Sequence, residues 1–318
     1  MINTSEQCYE IFNCSTNYEA IGQLAGTAFT DAQECEAAMP ILLNDIELTS
    51  VGELCSEHPV LYQIIGVFNG NLKIIRDKAI GPSIYSWDTS SSNVNNGNGI
   101  NEWSQADIMK LLNPGYENNQ DLDNNGDAII ANNSLWWNSE SGNCYVGFNN
   151  ETMSCDFSAA GLSDEAKNLI VDNLWYLGGI DYDTERESFA KEYYAYERRN
   201  NVIQNPSDGI IRTTKWTGKV GLPYPSDYGY ATDLSVCTEN LYDYDNSCIG
   251  NDWLKKTYYW TMTPASTLEE NIFLVNHGSI FYWNSSVSDY DVYPVMYLKK
   301  DAVIESGTGT KDDPYIAG

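Results

Sequence analysis

The sequence predicts an α+β domain made of small twisted antiparallel sheets, two helices and long loops, with a small helical or mixed region ahead of it. Three observations carry this. β-branched and aromatic runs come in pairs around tight turn signals, two stretches show helical apolar spacing behind a capping residue, and the remainder is rich in Tyr, Gly, Asn and Asp.

Taken in chain order, residues 17–44 (NYEAIGQLAGTAFTDAQECEAAMPILLN) are alanine-rich with loosely helical spacing that ends near Pro40, so residues 1–58 are read as the N-terminal region. The main domain is assigned to 59–318. It opens with VLYQIIGVF, the turn pair Asn69-Gly70 and LKIIRDKAI, which predict a hairpin. After the loop NVNNGNG (93–99), WSQADIMKLLN predicts a helix with Ser104 as N-cap and Ala106, Ile108, Met109, Leu111 and Leu112 on its buried face. A second helix is predicted over Ser163–Leu177, with acidic residues in its first turn where the helix dipole favours them. NIFLV and SIFYW flank Asn276-His277-Gly278 and predict another hairpin, and YPVMYLKK with SGTGTKDDPYIAG closes the chain. The segment Tyr224–Tyr230 reads as an irregular aromatic turn, and Glu197 with Arg198 as an ion pair tied to nearby strands.

Composition bounds the partners. There are 45 acidic residues against 17 basic ones, a net charge of −28, so the averaged field repels phosphate backbones and anionic lipid. Nucleic acid is excluded as a partner class. Eight cysteines fall into close couples, Cys8 with Cys14, Cys35 with Cys55, Cys144 with Cys155 and Cys237 with Cys248, which predicts disulfides and an oxidising compartment. Two histidines, His58 and His277, and the lack of a C-x-x-C leave little for zinc. No apolar run reaches bilayer length. No charged-then-apolar leader is visible either, so a secreted form is expected to have lost its targeting segment.

The candidate binding patch lies between Glu269 and Tyr293. Its residues are Asn271, Phe273, Asn276, His277, Phe281, Tyr282, Trp283, Asn284, Ser288, Asp289, Tyr290 and Asp291. Tyr and Trp supply contact area at low entropy cost, while Ser and Asn adapt their hydrogen bonds, as in antibody paratopes. Strand alternation lets only half of them point outward.

A second candidate is Asp121-Leu-Asp123-Asn-Asn125-Gly126-Asp127, the first half of a calcium loop. Asp121, Asp123, Asn125 and Asp127 are the expected ligands and calcium the one candidate cofactor. Asn132 stands where the bidentate glutamate belongs, so Glu117 or the Asp127 carbonyl would have to contribute. An Asx-rich turn explains the same residues. Catalytic signals are weaker. No G-x-S-x-G is present, and pairs such as Asp181/Asp183 and Asp243/Asp245 arise by chance in so acidic a chain. No catalytic residue is assigned, and the chain is read as a non-enzyme.

From Leu61 to Tyr315 the sequence resembles a group of secreted or pilin-like surface proteins of gut bacteria. The phrases that carry the likeness are LKIIRDKAIG with SWD, NEWSQADIMKLLNPGY, NNSLWWN, CDFSAAGLSDEAKNLI, YAYERR, WTGKVGLPYPSDYGYAT, NDWL, TMTP and YPVMYLKK with SGTGTKDDPY. That group is in turn similar to the C-type lectin fold in its formylglycine-generating-enzyme-like branch, which also houses the variable proteins of diversity-generating retroelements. The resemblance implies a C-type-lectin-like domain with a displayed segment followed by a closing strand, here Tyr293–Leu298. It implies an extracellular or cell-surface adhesin that binds a protein or glycan. Two alternatives accompany it: a structural subunit of a pilus-like filament that contacts its own copies, and an enzyme on the same scaffold.

Overall fold

The computed structural model describes residues 60–244, 248, 253–254, 258–287 and 290–300, short pieces of 302–317, and the isolated positions 30 and 33. The 17–44 helix, the couples Cys8/Cys14 and Cys35/Cys55, and Ser288 and Asp289 lie outside the described residues. The chain divides into two compact units, and the larger holds Tyr62–Glu305 and every element from β1 to β13.

Strand β1 (Tyr62–Phe68) turns through Asn69 and Gly70 into β2 (Asn71–Arg76). Both turn residues have positive φ, 52° and 85°, as a two-residue hairpin loop requires. Helix α1 (Asp107–Leu112) buries Ile108, Met109, Leu111 and Leu112 completely. Ser104 is not its N-cap. It sits in a 3-10 turn, Trp103–Gln105, where the Glu102 carboxylate accepts its amide at 3.0 Å. The first amides of α1 are satisfied from another segment: Asp107 donates to Asp88 Oδ1 at 3.1 Å and Ile108 to the Trp87 carbonyl at 3.0 Å.

A minimal hairpin, β3 (Asp121–Leu122) with β4 (Ala128–Ile129), precedes the one-turn helix α2 (Leu135–Asn138), which buries Trp136. The hairpin of β5 (Ser141–Tyr145) and β6 (Thr152–Asp156) is stapled by the disulfide Cys144–Cys155. Helix α3 (Asp164–Leu169) starts as expected, with Ser163 Oγ accepting the Ala166 amide at 3.2 Å. It stops eight positions short of Leu177. The chain is captured by the closing strand, Val171 donating to the Tyr297 carbonyl at 2.9 Å, and NLWY then alternates as β7 (Asn173–Tyr176) with Trp175 inward.

Helices α4 (Tyr182–Glu185) and α5 (Ala190–Arg198) come next, and β8 (Lys215–Gly218) pairs with β7. After β9 (Val220–Gly221), the expected aromatic turn instead forms helix α6 (Pro225–Tyr230), because proline suits the first helical position and Asp227 Oδ2 accepts the Tyr224 amide at 2.9 Å. The disulfide Cys237–Cys248 staples the loop beyond it. Strands β10 (Tyr258–Pro264), β11 (Asn271–Asn276) and β12 (Ser279–Asn284) form an antiparallel sheet in that order. Finally β13 (Val295–Leu298) inserts between β2 and β9, so the end of the domain closes on the hairpin that opened it.

The result is a mixed architecture of small antiparallel sheets with few, short helices. Its centre is aromatic. Trp87, Trp103, Trp136, Trp175 and Trp260 are all buried, and Trp103 bridges Trp87 and Trp216 with ring centroids at 5.6 and 5.8 Å. Among the described residues, no helix is long and apolar enough to cross a membrane.

Candidate functional site

Strand β12 is the outer strand of its sheet, and its apolar spacing decides what it shows. Cross-strand pairing puts Trp283 opposite Ile272 and Phe281 opposite Leu274 on one face, with Tyr282 opposite Phe273 on the other. Both faces of β11 are covered, so Asn271 and Phe273 are buried, and neither can serve as a ligand contact. The patch read from the sequence is therefore split by the sheet itself.

What reaches the surface is the β12 side. Trp283 is 46% exposed, and Phe281 is half-buried with its ring 6.2 Å from it. Tyr182, from α4, supports this edge. Its ring lies 4.0 Å from Tyr282, 5.8 Å from Phe281 and 6.0 Å from Tyr242. The loop carrying Tyr242 is pinned to the strand because Ile280 donates to the Leu241 carbonyl at 2.8 Å. The Arg186 guanidinium spans both tyrosines, 4.9 Å from Tyr182 and 4.6 Å from Tyr242. Composition around the hairpin does not point to Tyr182, Arg186 or Tyr242, which lie 40 or more positions upstream of Trp283.

The turn end is a separate cluster. His277, exposed and at φ 48°, lies against Tyr258 with ring centroids 4.1 Å apart and its Nε2 in contact with the phenol. Tyr290 packs on Trp260 at 4.7 Å and near Tyr258 at 6.0 Å. Asn276 and Asn284 are half-buried at the ends of their strands. Asp291 serves the scaffold: its backbone bridges Tyr258 and Trp260, and its carboxylate accepts from Ser83 and from Tyr293 at 3.3 Å.

In the Asp121–Asp127 segment the carboxylates of Asp121 and Asp123 and the carbonyl of Asp127 each have a partner within the protein. Asp121 turns inward, accepting the Tyr145 phenol at 2.9 Å, with the Lys110 ammonium 3.4 Å away supplying the positive charge beside it. Asp123 Oδ1 accepts the amides of Asn125 and Asp127 at 2.8 and 2.9 Å, an Asx turn that holds this carboxyl below its ordinary range. The Asp127 carbonyl is taken by the Asp123 amide, and Glu117 faces Gly115 and Asn138. Among the described residues, no group of three or more His, Cys, Asp or Glu is placed to hold a metal ion.

Of one further constellation, only the Glu197–Arg198 pair is signalled in the sequence. Lys73 of β2, fully buried, forms a 2.5 Å ion pair with Asp227 of α6. Next to it Glu197, also buried, accepts the amide and hydroxyl of Ser226 at 2.9 and 2.5 Å and pairs with Arg198 at 3.0 Å. Burial pushes the Lys73 amine down and the Glu197 carboxyl up to about 7. The expected Glu197–Arg198 ion pair is present, and Glu197 binds the start of α6 as well as acting on the Lys73 ammonium of β2. Comparison with family models, curated proteins and solved structures finds no match to this chain.

Proposed function

We propose that this chain is an extracellular ligand-binding or adhesion module that presents the outer strand β12 to a protein or glycan partner. The observation that carries the reading is the half-exposed ring set Trp283, Phe281 and Tyr242, held in place by Tyr182 and crossed by Arg186. Rigid aromatic surface with a neighbouring guanidinium is what binding hot spots are made of, and side chains already ordered before contact lower the cost of association. Two disulfides support an oxidising location. The closing strand β13 laid against the opening hairpin, after an intervening sheet, supports the C-type-lectin-like reading of the scaffold.

The test is retention on an array of glycans and extracellular-matrix proteins. Wild-type protein is expected to be retained by at least one member, with Trp283→Ala and Arg186→Ala each losing roughly tenfold or more in affinity. Their melting temperatures should stay within about 4 °C of wild type. Wild-type protein retained by nothing, or variants that bind undiminished, would contradict the reading.

A further inference from the structure

On other elements of the same unit, a hollow of about 310 Å3 opens between β1, α5 and α6. Its walls are the rings of Phe68, Tyr194, Tyr230 and Trp253, and its floor is Ser226 with Asp227. The walls face solvent: Tyr194, Tyr230 and Trp253 are 38%, 47% and 42% exposed, an unusual concentration of large rings for a surface without a partner. They are also held. The Arg198 guanidinium covers Tyr194 at 3.3 Å from the ring centre, and Tyr230 meets Tyr194 edge-on at 6.3 Å. The floor is polar and nearly inaccessible, with Ser226 at 1% and Asp227 at 7% exposure.

The hydrogen bonds of Asp227 are one-sided. Oδ2 accepts both the Lys73 ammonium at 2.5 Å and the Tyr224 amide at 2.9 Å, whereas Oδ1 accepts none among the described residues. In a side chain that lines an aromatic hollow, a carboxylate oxygen with no protein donor among the described residues and within reach of solvent is open to a donor from a ligand.

Charge and polarity then narrow the occupant. Lys73 offsets Asp227 and Arg198 offsets Glu197, so the floor is locally balanced inside a chain of net charge −28. A cation would sit beside Lys73 and Arg198, and an anion would face both the free Asp227 oxygen and the acidic surroundings. A purely apolar molecule would strip water from that oxygen and return nothing. A neutral molecule with one C–H face for the rings and a hydroxyl donor for the carboxylate satisfies all three conditions. The volume lies at the small end of the roughly 300–1,000 Å3 usual for ligand sites. We infer that the hollow between β1, α5 and α6 is a binding site for a single neutral pyranose ring, stacked on Trp253 and Tyr230 and donating a hydroxyl to Asp227 Oδ1. It is separate from the β12 face and does not depend on that reading.

The test titrates the full chain with the methyl pyranosides of glucose, galactose and mannose and with N-acetylglucosamine, up to about 50 mM. Tetramethylammonium and cyclohexanol serve as cationic and apolar probes. Saturation-transfer NMR and tryptophan fluorescence report binding. At least one pyranoside should bind saturably, and Trp253→Ala and Tyr230→Ala should each weaken it roughly tenfold or more while Leu174→Ala, at an exposed position of β7 that belongs to neither site, leaves it unchanged. Both wall residues are exposed, so their removal leaves the core intact, and Asp227 is left in place because its loss would strand Lys73. Binding of the cationic or apolar probe without any sugar would overturn the inference, as would silence from every probe. Sugar binding lost only in Trp283→Ala would overturn it too and would assign the sugar to β12.

Discussion

Lys73 and Asp227 lie 154 positions apart in sequence and 2.5 Å apart in space. The rings of Tyr224, Phe68 and Tyr297 stand 4.8, 5.4 and 5.9 Å from the same ammonium. Removing one partner of such a pair leaves an uncompensated buried charge. Asp227→Ala is therefore expected to cost roughly 3–5 kcal/mol, measured by urea unfolding, whereas Lys73→Met with Asp227→Asn should recover most of it. A single variant within about 1 kcal/mol of wild type would refute the burial of the pair. In sequence, Lys73 interrupts an apolar strand as an outward residue would, and the helix that covers it has the composition of a turn. The tryptophans behave in the opposite way. The phrases SWD and NEWSQADIM put Trp87, Asp88, Trp103 and Asp107 into the buried centre.

At the scale of elements, hairpins are the most legible feature. Both Asn69-Gly70 and His277-Gly278 hold the positive φ that their turns demand, and each marks its strands' ends closely. Strand order is not legible. Nothing local says that β11 is central, and that one fact removes Asn271 and Phe273 from the surface and divides the rest of the patch. Helix α3 ends early for a related reason, since the residues beyond it pair with strands far away. A short helix such as α5 escapes the apolar pattern because its buried strip, Ala190, Tyr193 and Glu197, includes a charge and a phenol. The β12 geometry makes a paired prediction. Tyr282→Ala, which vacates the support at Tyr182, should cost about 2–4 kcal/mol, and Trp283→Ala less than about 1 kcal/mol, by chemical denaturation. Equal costs would mean that the two faces are not distinct. For the β5–β6 hairpin, replacing Cys144 and Cys155 by serine should cost about 3 kcal/mol in the loop-entropy account, and an unchanged unfolding midpoint would count against the staple's role.

For the whole molecule, the acidic excess and the buried carboxylates act in the same direction. Glu197 rises from 4.5 to about 7 through desolvation, and Asp88 and Asp107, buried together, are raised mainly by desolvation, Asp88 also by the Asp107 charge. Between about pH 4.5 and 7 the folded chain keeps protons that the unfolded chain has released, so stability falls as pH rises through that window. The net charge of −28 adds self-repulsion of the same sign. The melting temperature is expected to be higher near about pH 5 than near about pH 7.5, with Glu197→Gln reducing the difference. A flat profile, or one identical in that variant, would refute the ionisation assigned to Glu197.

The central claim, that the molecule works by presenting β12, is most directly tested by hydrogen–deuterium exchange of the full chain, free and saturated with whichever glycan or matrix protein the array retains. The account predicts slowed exchange over 279–287, with the adjoining segments 182–187 and 240–244 protected alongside it. Unchanged exchange over 279–287, with protection confined to other segments, would contradict it.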